Sequence, residues 1–391
     1  MHVTVLYEGP LRRDHGGRRQ LEQVLWLAER HSVTLVPLQS TAAADVSSEV
    51  SDAGVLVMPP LQLPIPPRWA GALPGLWRIR HPPPAYTVPD GDWLVVANTA
   101  LAGWVAKTSR QRGLPVTSWD GDAQASWYLS VARVHPWHPR RTLVALTRAI
   151  SMAVFETQRL RRFDFVTVPS DRDRAALALT GISRAYIVPN TVGVDARAGH
   201  RPLPSDLLFV GSNYGPNIDG LRWFFDRVWP AVLAARPSTT LHLVGNGLEP
   251  EALSEQHPGT VWHGSVERVE PYLLGARLFV CPVFYGGGTP NKVVEAAACG
   301  LEVLTTPYVQ SRLPQLALGG ARDETGWIRA ILDALARPPD TTALAEVANI
   351  ADAGHGPAAF DAAMLHLEKH VLDLIETRRA PVVAVTKPDK F

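Results

Sequence analysis

The chain is expected to form two α/β domains, each built on a doubly wound parallel sheet, and three observations lead to that expectation. Short apolar, β-branched runs alternate with helical segments through both halves of the chain. Those runs end in Pro, Asn, Ser or Gly, as parallel strands do where their C-terminal loops face a ligand. A glycine-rich loop then leads into a helix start bearing a lysine and a glutamate, in the second half.

The first strand is Val3-Thr4-Val5-Leu6-Tyr7, followed by a polar loop with Gly16 and Gly17, a helix over residues 18–30 and a second strand at Val33-Thr34-Leu35-Val36. Further strands are expected at Val55-Leu56-Val57, Leu94-Val95-Val96-Ala97, Phe165-Val166-Thr167-Val168 and Tyr186-Ile187-Val188. Residues 59–89, rich in proline and tryptophan, are expected to be a long irregular loop. A second series opens at Leu207-Leu208-Phe209-Val210-Gly211. It continues with a helix over 218–235, strands at 241–244, 261–263 and 278–281, the glycine loop with its helix, and a strand at Val303-Leu304-Thr305. The proline-bearing segment 197–204 is the boundary. Domains are therefore expected over 1–195 and 202–360, with 361–379 as a closing helix that returns to the N-terminal domain and 380–391 as a polar, disordered tail.

Composition narrows the function. The chain has 391 residues, 46% of them hydrophobic, which suffices for two cores. A net charge of +1 without a long basic run excludes a nucleic-acid binder. Arg12, Arg13, Arg18 and Arg19 form the densest basic cluster, expected to be a solvated face. No run approaches the roughly 18 apolar residues of a membrane span, and the N-terminus enters a strand without a signal-like segment. Cys281 and Cys299, in apolar runs, are expected to be buried thiols. A cytoplasmic location follows as the expectation, compatible with a homodimer and with a peripheral seat at the inner membrane. Arginine far outnumbers lysine, and Ala, Pro and Gly are plentiful, as in proteins of GC-rich bacterial genomes.

The segment Tyr285-Gly286-Gly287-Gly288-Thr289-Pro290-Asn291-Lys292-Val293-Val294-Glu295-Ala296 carries the chemistry. Thr289 suits an N-cap and Pro290 the first helical position, so a helix is expected from there to Cys299, ended by Gly300. The amides of Asn291 and Lys292, the helix dipole and the open backbone of Gly286, Gly287 and Gly288 make an anion pocket of pyrophosphate size. Lys292 adds a full charge. Glu295, three residues on, shares its face, and a carboxylate there suits the two hydroxyls of a ribose. Together they suggest a nucleoside diphosphate. A glycine loop beside a solvated Lys–Glu pair stands as the alternative for the motif taken alone.

The motif has company over residues 163–307: Phe209-Val210-Gly211-Ser212 with Pro216-Asn217, Leu243-Val244-Gly245-Asn246-Gly247, His263-Gly264-Ser265-Val266, Ala276-Arg277, and Gly286 through Glu295 to Gly300. In order and spacing these segments resemble the donor half of the retaining GT-B glycosyltransferases of family four, the glycosyl transferases group 1. Pro189-Asn190 with Val194-Asp195 is similar to that family's interdomain turn with two residues inserted. The resemblance implies two Rossmann-like domains facing a cleft and a nucleoside-diphosphate sugar donor, UDP- or GDP-linked, with no metal or cofactor. By resemblance, Glu295 holds the donor ribose, Lys292 and the amides of Gly288 and Thr289 the diphosphate, and Ser265 and Val266 the base. Gly211, Ser212, Asn217, Gly286, Gly287, Pro290 and Asn291 complete the donor site, and Gly16 and Gly17 close on it from the other domain. Two departures stand out. Gly287 replaces the family's usual glutamate, and the arginine and lysine that commonly follow the Val-Gly strand are absent, leaving Lys292 alone or Arg222 to supply charge.

On the acceptor side the family resemblance implies a histidine base, for which His135 is the candidate, with His138 beside it; loop histidines with no such duty are the alternative. Asp120-Gly121-Asp122 resembles the metal-binding motif of a different glycosyltransferase fold; its place in the N-terminal half favours Asp120 and Asp122 as acceptor-side polar groups, with metal binding as the alternative. Trp119, Trp127 and Trp137 are expected to pack in the core, with stacking on a sugar or aromatic acceptor as the alternative and Trp127 the acceptor-side candidate; the 59–89 loop is expected over the same side, and His263 is expected to be structural. The alternatives are another GT-B chemistry, such as epimerisation or phosphorolysis, and a catalytically degenerate GT-B subunit that activates a partner.

Overall fold

The computed structural model describes residues 1–7, 11, 18–37, 46–61, 72–74, 90–97, 105, 109, 112–119, 123–134, 139–158, 160–192, 205–248, 257–316, 319–320 and 323–379. Expectations for Gly16, Gly17, Asp120, Asp122, His135, Trp137, His138, most of 59–89, the 197–204 boundary and the 380–391 tail fall outside them.

Seven strands form the first sheet: β1 (His2–Tyr7), β2 (Ser32–Pro37), β3 (Leu56–Val57), β4 (Trp93–Val96), β5 (Val116–Ser118), β6 (Phe165–Val168) and β7 (Ala185–Ile187). All pairs are parallel, in the order β3-β2-β1-β4-β5-β6-β7. The second sheet holds β8 (Ser205–Val210), β9 (Leu241–Val244), β10 (Thr260–Trp262), β11 (Ala276–Cys281), β12 (Val303–Thr305) and β13 (Gly319–Gly320), again parallel, in the order β10-β9-β8-β11-β12-β13. In each sheet the domain's first strand lies inside, and the strand order reverses beside it. Ligands of open parallel sheets bind outside the C-terminal ends of the strands at that reversal, here β8 and β11. Gly211 follows one and the glycine loop the other.

Helices on both faces bury the two sheets, as the near-continuous apolar strands require. In the N-terminal half they are α1 (Arg18–Ala28), α2 (Ser48–Asp52), α3 (Gln124–Val134), α4 (Pro139–Gln158) and α5 (Asp171–Leu179). Ser47 caps α2 and Ser170 caps α5 through their side chains. The helix expected over 218–235 is two, α6 (Gly215–Arg227) and α7 (Trp229–Ala235), because Pro230 cannot continue the first ladder. The second half adds α8 (Glu270–Gly275), α9 (Asn291–Ala298), α10 (Pro307–Gln310), α11 (Glu324–Ala336) and α12 (Thr341–His355).

The last helix, α13 (Pro357–Arg379), packs on the N-terminal domain. Phe360, Met364, Leu367, Val371 and Ile375 follow helical spacing and are buried in one cluster with Val3, Val5, Leu21 and Leu27. Trp26 Nε1 donates to Asp361 at 2.7 Å and Arg378 reaches Asp164 at 2.6 Å. The chain thereby completes its first core with its last helix.

One expectation is corrected. Arg18 and Arg19 do not form a solvated face: Arg19 is buried and donates to Thr167 at 3.4 Å, and Arg18 turns toward the second domain. Trp119 is fully buried in the N-terminal core, as core packing predicts, which leaves it no ring for stacking on a ligand.

Candidate functional site

Gly211 follows β8 in a turn crowded by backbone. Its amide donates to Val244 O at 2.9 Å, and the Gly245 amide donates to Gly264 O at 2.8 Å. A side chain at Gly245 is excluded, because a Cβ there would stand 1.6 Å from Gly211 O and φ is +132°. A Cβ at Gly211 would meet the Phe209 ring at 2.8 Å, Asn217 Nδ2 at 2.9 Å and Lys292 Nζ at 2.9 Å.

Helix α9 starts later than its sequence suggests. Pro290 occupies the N-cap and accepts from Val293 N at 2.9 Å, while Thr289 lies outside the helix. The reason is geometric: the loop approaches in an extended, glycine-dependent path with Gly288 at φ 62°, and helical dihedrals begin at Asn291. Lys292 therefore sits in the first turn, among amides without intrahelical partners. Its ammonium donates to Asn217 Oδ1 at 2.6 Å and lies 4.4 Å from the Phe209 ring centroid. Asn217 Nδ2 in turn donates to Ser212 O at 3.0 Å. Among the described residues no carboxylate stands within ion-pair distance of Lys292. Burial pushes its pKa below the usual lysine range, opposed by the Cys281 thiol and the Glu295 carboxylate nearby.

Glu295 projects from the next turn of α9. Burial raises its carboxyl above the usual range, and Arg18, 3.9 Å away across the domain boundary, opposes the rise, as does Lys292. Arg18 opens α1, directly after the Gly16-Gly17 pair. Its role was missed in the sequence; its place at the helix start, beside a glycine pair, was the available signal.

A second missed arginine lies under the glycine loop. Arg312 donates to Gly288 O at 2.8 Å and Gly286 O at 3.4 Å, and its guanidinium lies 4.7 Å from the Tyr308 ring centroid. Tyr308 OH also donates to Gly286 O, at 2.7 Å. The loop carbonyls are thus tied toward one side by cationic and hydroxyl donors. Arg222, the other cation considered from sequence, lies on the exposed face of α6. Ser265 is exposed and Val266 packs against the cluster under α9. His263 faces His242 at 2.8 Å, and burial lowers the pKa of both imidazoles. Cys281 is buried, whereas Cys299 is only partly so.

The two domains meet at this site. Trp127 Nε1 donates to Tyr214 OH at 2.7 Å, Ser130 Oγ to Gly286 O at 3.0 Å, and Asn190 Nδ2 to Asn291 Oδ1 at 2.6 Å. Beside the glycine loop, a cleft of about 330 Å³ opens between α3, α4 and the C-terminal domain, lined by Trp127, Tyr128, Arg141, Arg148, Asp219 and Tyr285 among others. Trp127 is thereby placed at an interdomain cleft.

Residues 204–348 match the family model described as Glycosyl transferases group 1. No curated protein sequence matches the chain. Solved structures that share the fold include a sucrose-phosphate synthase from Thermosynechococcus elongatus, at TM-score 0.64 and 17% identity over 95% of this chain and 99% of that one. HepE from Anabaena, in complex with UDP and glucose, gives TM-score 0.59 and 12% identity over 95% and 100%. A putative UDP-N-acetylglucosamine 2-epimerase from Listeria monocytogenes gives 0.53 and 13% over 100% and 99%. The fold is GT-B.

Proposed function

With residues 204–348 forming a glycosyl transferases group 1 domain on a GT-B fold, we propose that the protein is a retaining glycosyltransferase that uses a nucleoside-diphosphate sugar, UDP- or GDP-linked, and needs no metal. The observation that carries this reading is Lys292, a cation beside Gly211 whose hydrogen-bond partner, Asn217, is neutral. A diphosphate at the start of α9 supplies its counter-charge and accepts from the free first-turn amides. Glu295, on the same face, accepts from ribose hydroxyls. Arg312 adds positive charge behind the loop.

Transfer breaks the bond between the anomeric carbon and the diphosphate oxygen, and negative charge grows on the leaving group. Lys292 and the helix amides stabilise that charge in place of a metal. The acceptor oxygen bonds to the anomeric carbon on the face the diphosphate leaves, and its proton passes to a leaving phosphate oxygen. This route needs no carboxylate nucleophile on the protein. His135 is the proposed acceptor-side base for acceptors that need one.

Incubation of the purified protein with UDP-glucose or GDP-mannose, followed by NMR of the released or transferred sugar, tests the reading. The expected product keeps the anomeric configuration of the donor, and Glu295→Ala abolishes the signal. Inverted product would refute retention. Intact donor throughout would favour the degenerate-subunit reading, which Gly287 in place of the family glutamate motivates.

A further inference from the structure

Resting on that reading, we propose that the cleft between the α3–α4 pair and the C-terminal domain is the acceptor subsite and takes a small acceptor bearing a carboxylate or phosphate on a flat, apolar body. The cleft, of about 330 Å³, is of small-molecule size. Its walls combine rings and guanidinium groups: Trp127, Tyr128 and Tyr285 against Arg140, Arg141 and Arg148. Trp127 and Tyr128 meet edge to face with centroids 4.7 Å apart, and the Arg148 guanidinium lies over the Tyr128 ring at 5.8 Å, so rings and positive charge stand side by side in the wall.

The charge of the cleft is one-sided. Asp219 is the carboxylate among its described lining residues, and it accepts from Tyr285 OH at 2.6 Å. Among the described residues no carboxylate pairs with Arg140 or Arg141. Burial raises the Tyr285 phenol, with Asp219 adding to the rise, and Arg141 is near enough for its charge to oppose it. A neutral sugar would call for amide and carboxylate partners; guanidinium forks match the two oxygens of a carboxylate or phosphate.

The place fits an acceptor. Tyr285 immediately precedes Gly286, and Ser130, one turn beyond Trp127 on α3, hydrogen-bonds Gly286 O. A ligand in the cleft therefore lies beside the loop assigned to the donor diphosphate. Its hydroxyl oxygen forms the new bond to the anomeric carbon while the diphosphate leaves with the electron pair and takes the hydroxyl proton on a phosphate oxygen, and the anionic group stays intact as an anchor.

Calorimetric titration of the full chain with 4-hydroxybenzoate, 4-hydroxyphenyl phosphate, methyl 4-hydroxybenzoate and inorganic phosphate tests the proposal, in wild type and in Arg140→Gln/Arg141→Gln. Both positions are exposed, so the variant is expected to fold. Each aromatic anion should bind about tenfold tighter than the neutral ester, with the preference shrinking to about twofold in the variant. Equal binding of ester and anions, or a preference that survives the variant, would overturn the proposal. So would inorganic phosphate binding as well as the aromatic anions, which would mean an anion site with no acceptor body. UDP and GDP are titrated in parallel: their failure to bind wild type would sink the donor reading, while the aromatic comparison would still judge the cleft.

Discussion

A methyl group at Gly211 would press first on three side chains, Phe209, Asn217 and Lys292, at 2.8–2.9 Å. Gly211→Ala is therefore expected to fold, because those side chains can shift, yet to move the Lys292 ammonium and weaken nucleotide binding. A circular dichroism melt close to wild type, with about tenfold weaker nucleotide binding by titration, is the predicted result. Gly245→Ala differs, since its Cβ meets the Gly211 carbonyl in a positive-φ backbone; loss of soluble protein is expected. Removing the Lys292 charge should cost turnover more than folding. Lys292→Ala is expected to lower kcat by about 100- to 1000-fold, the range seen when a donor to a developing anion is removed. Lys292 and Glu295 could be singled out as candidates in sequence because a glycine run, a helix start and two charges three apart are all local. Arg312 and Arg18 were not, because each reaches the loop or Glu295 through packing between segments distant in sequence.

Among the elements, the strands were legible and several helices were not. Strand runs such as Phe165–Val168 are continuous and apolar, as parallel strands covered on both faces must be. Helix α4 escaped because its pattern is blurred: Leu143, Leu146 and Ile150 are exposed, while smaller Ala145 and Ala149 face inward. That miss hid the cleft. The closing helix α13 has a clear stripe, and its energetic role follows from burial. Leu367→Ala is expected to lower unfolding stability by about 2–5 kcal/mol, measured as a shift of the urea midpoint, although Leu367 lies far in sequence from the β1–β2 core it joins. The β9–β10 edge gives a pH prediction. Burial depresses the pKa of His242 and His263, and of His355 likewise. Unfolded imidazoles take up protons below about pH 6.5 while the native ones stay neutral. Unfolding then binds protons in that window, so stability is flat above it and falls as pH drops through it. Urea midpoints from pH 8 to 5 should decline in wild type and decline less in His263→Asn; a rise on acidification would contradict the assignment.

At the scale of the molecule, the residues of the proposed donor site come from both domains. Arg18 from the N-terminal half faces Glu295, and α3 of that half holds the glycine loop through Ser130. Arg18→Ala is accordingly expected to weaken nucleotide binding severalfold from outside the matched family region, without a comparable loss of thermal stability. Nucleoside-diphosphate binding by α9 and its glycine loop through Lys292 is the proposal on which the others depend. The most direct test is a thermal-shift titration of UDP, GDP, ADP and dTDP against wild type and Lys292→Ala. A ligand bound only by the native state at 100 times its Kd stabilises it by about 2.7 kcal/mol. UDP or GDP should raise Tm clearly in wild type, with the rise lost or sharply reduced in Lys292→Ala. No rise with any nucleotide, or an equal rise in both proteins, would contradict it.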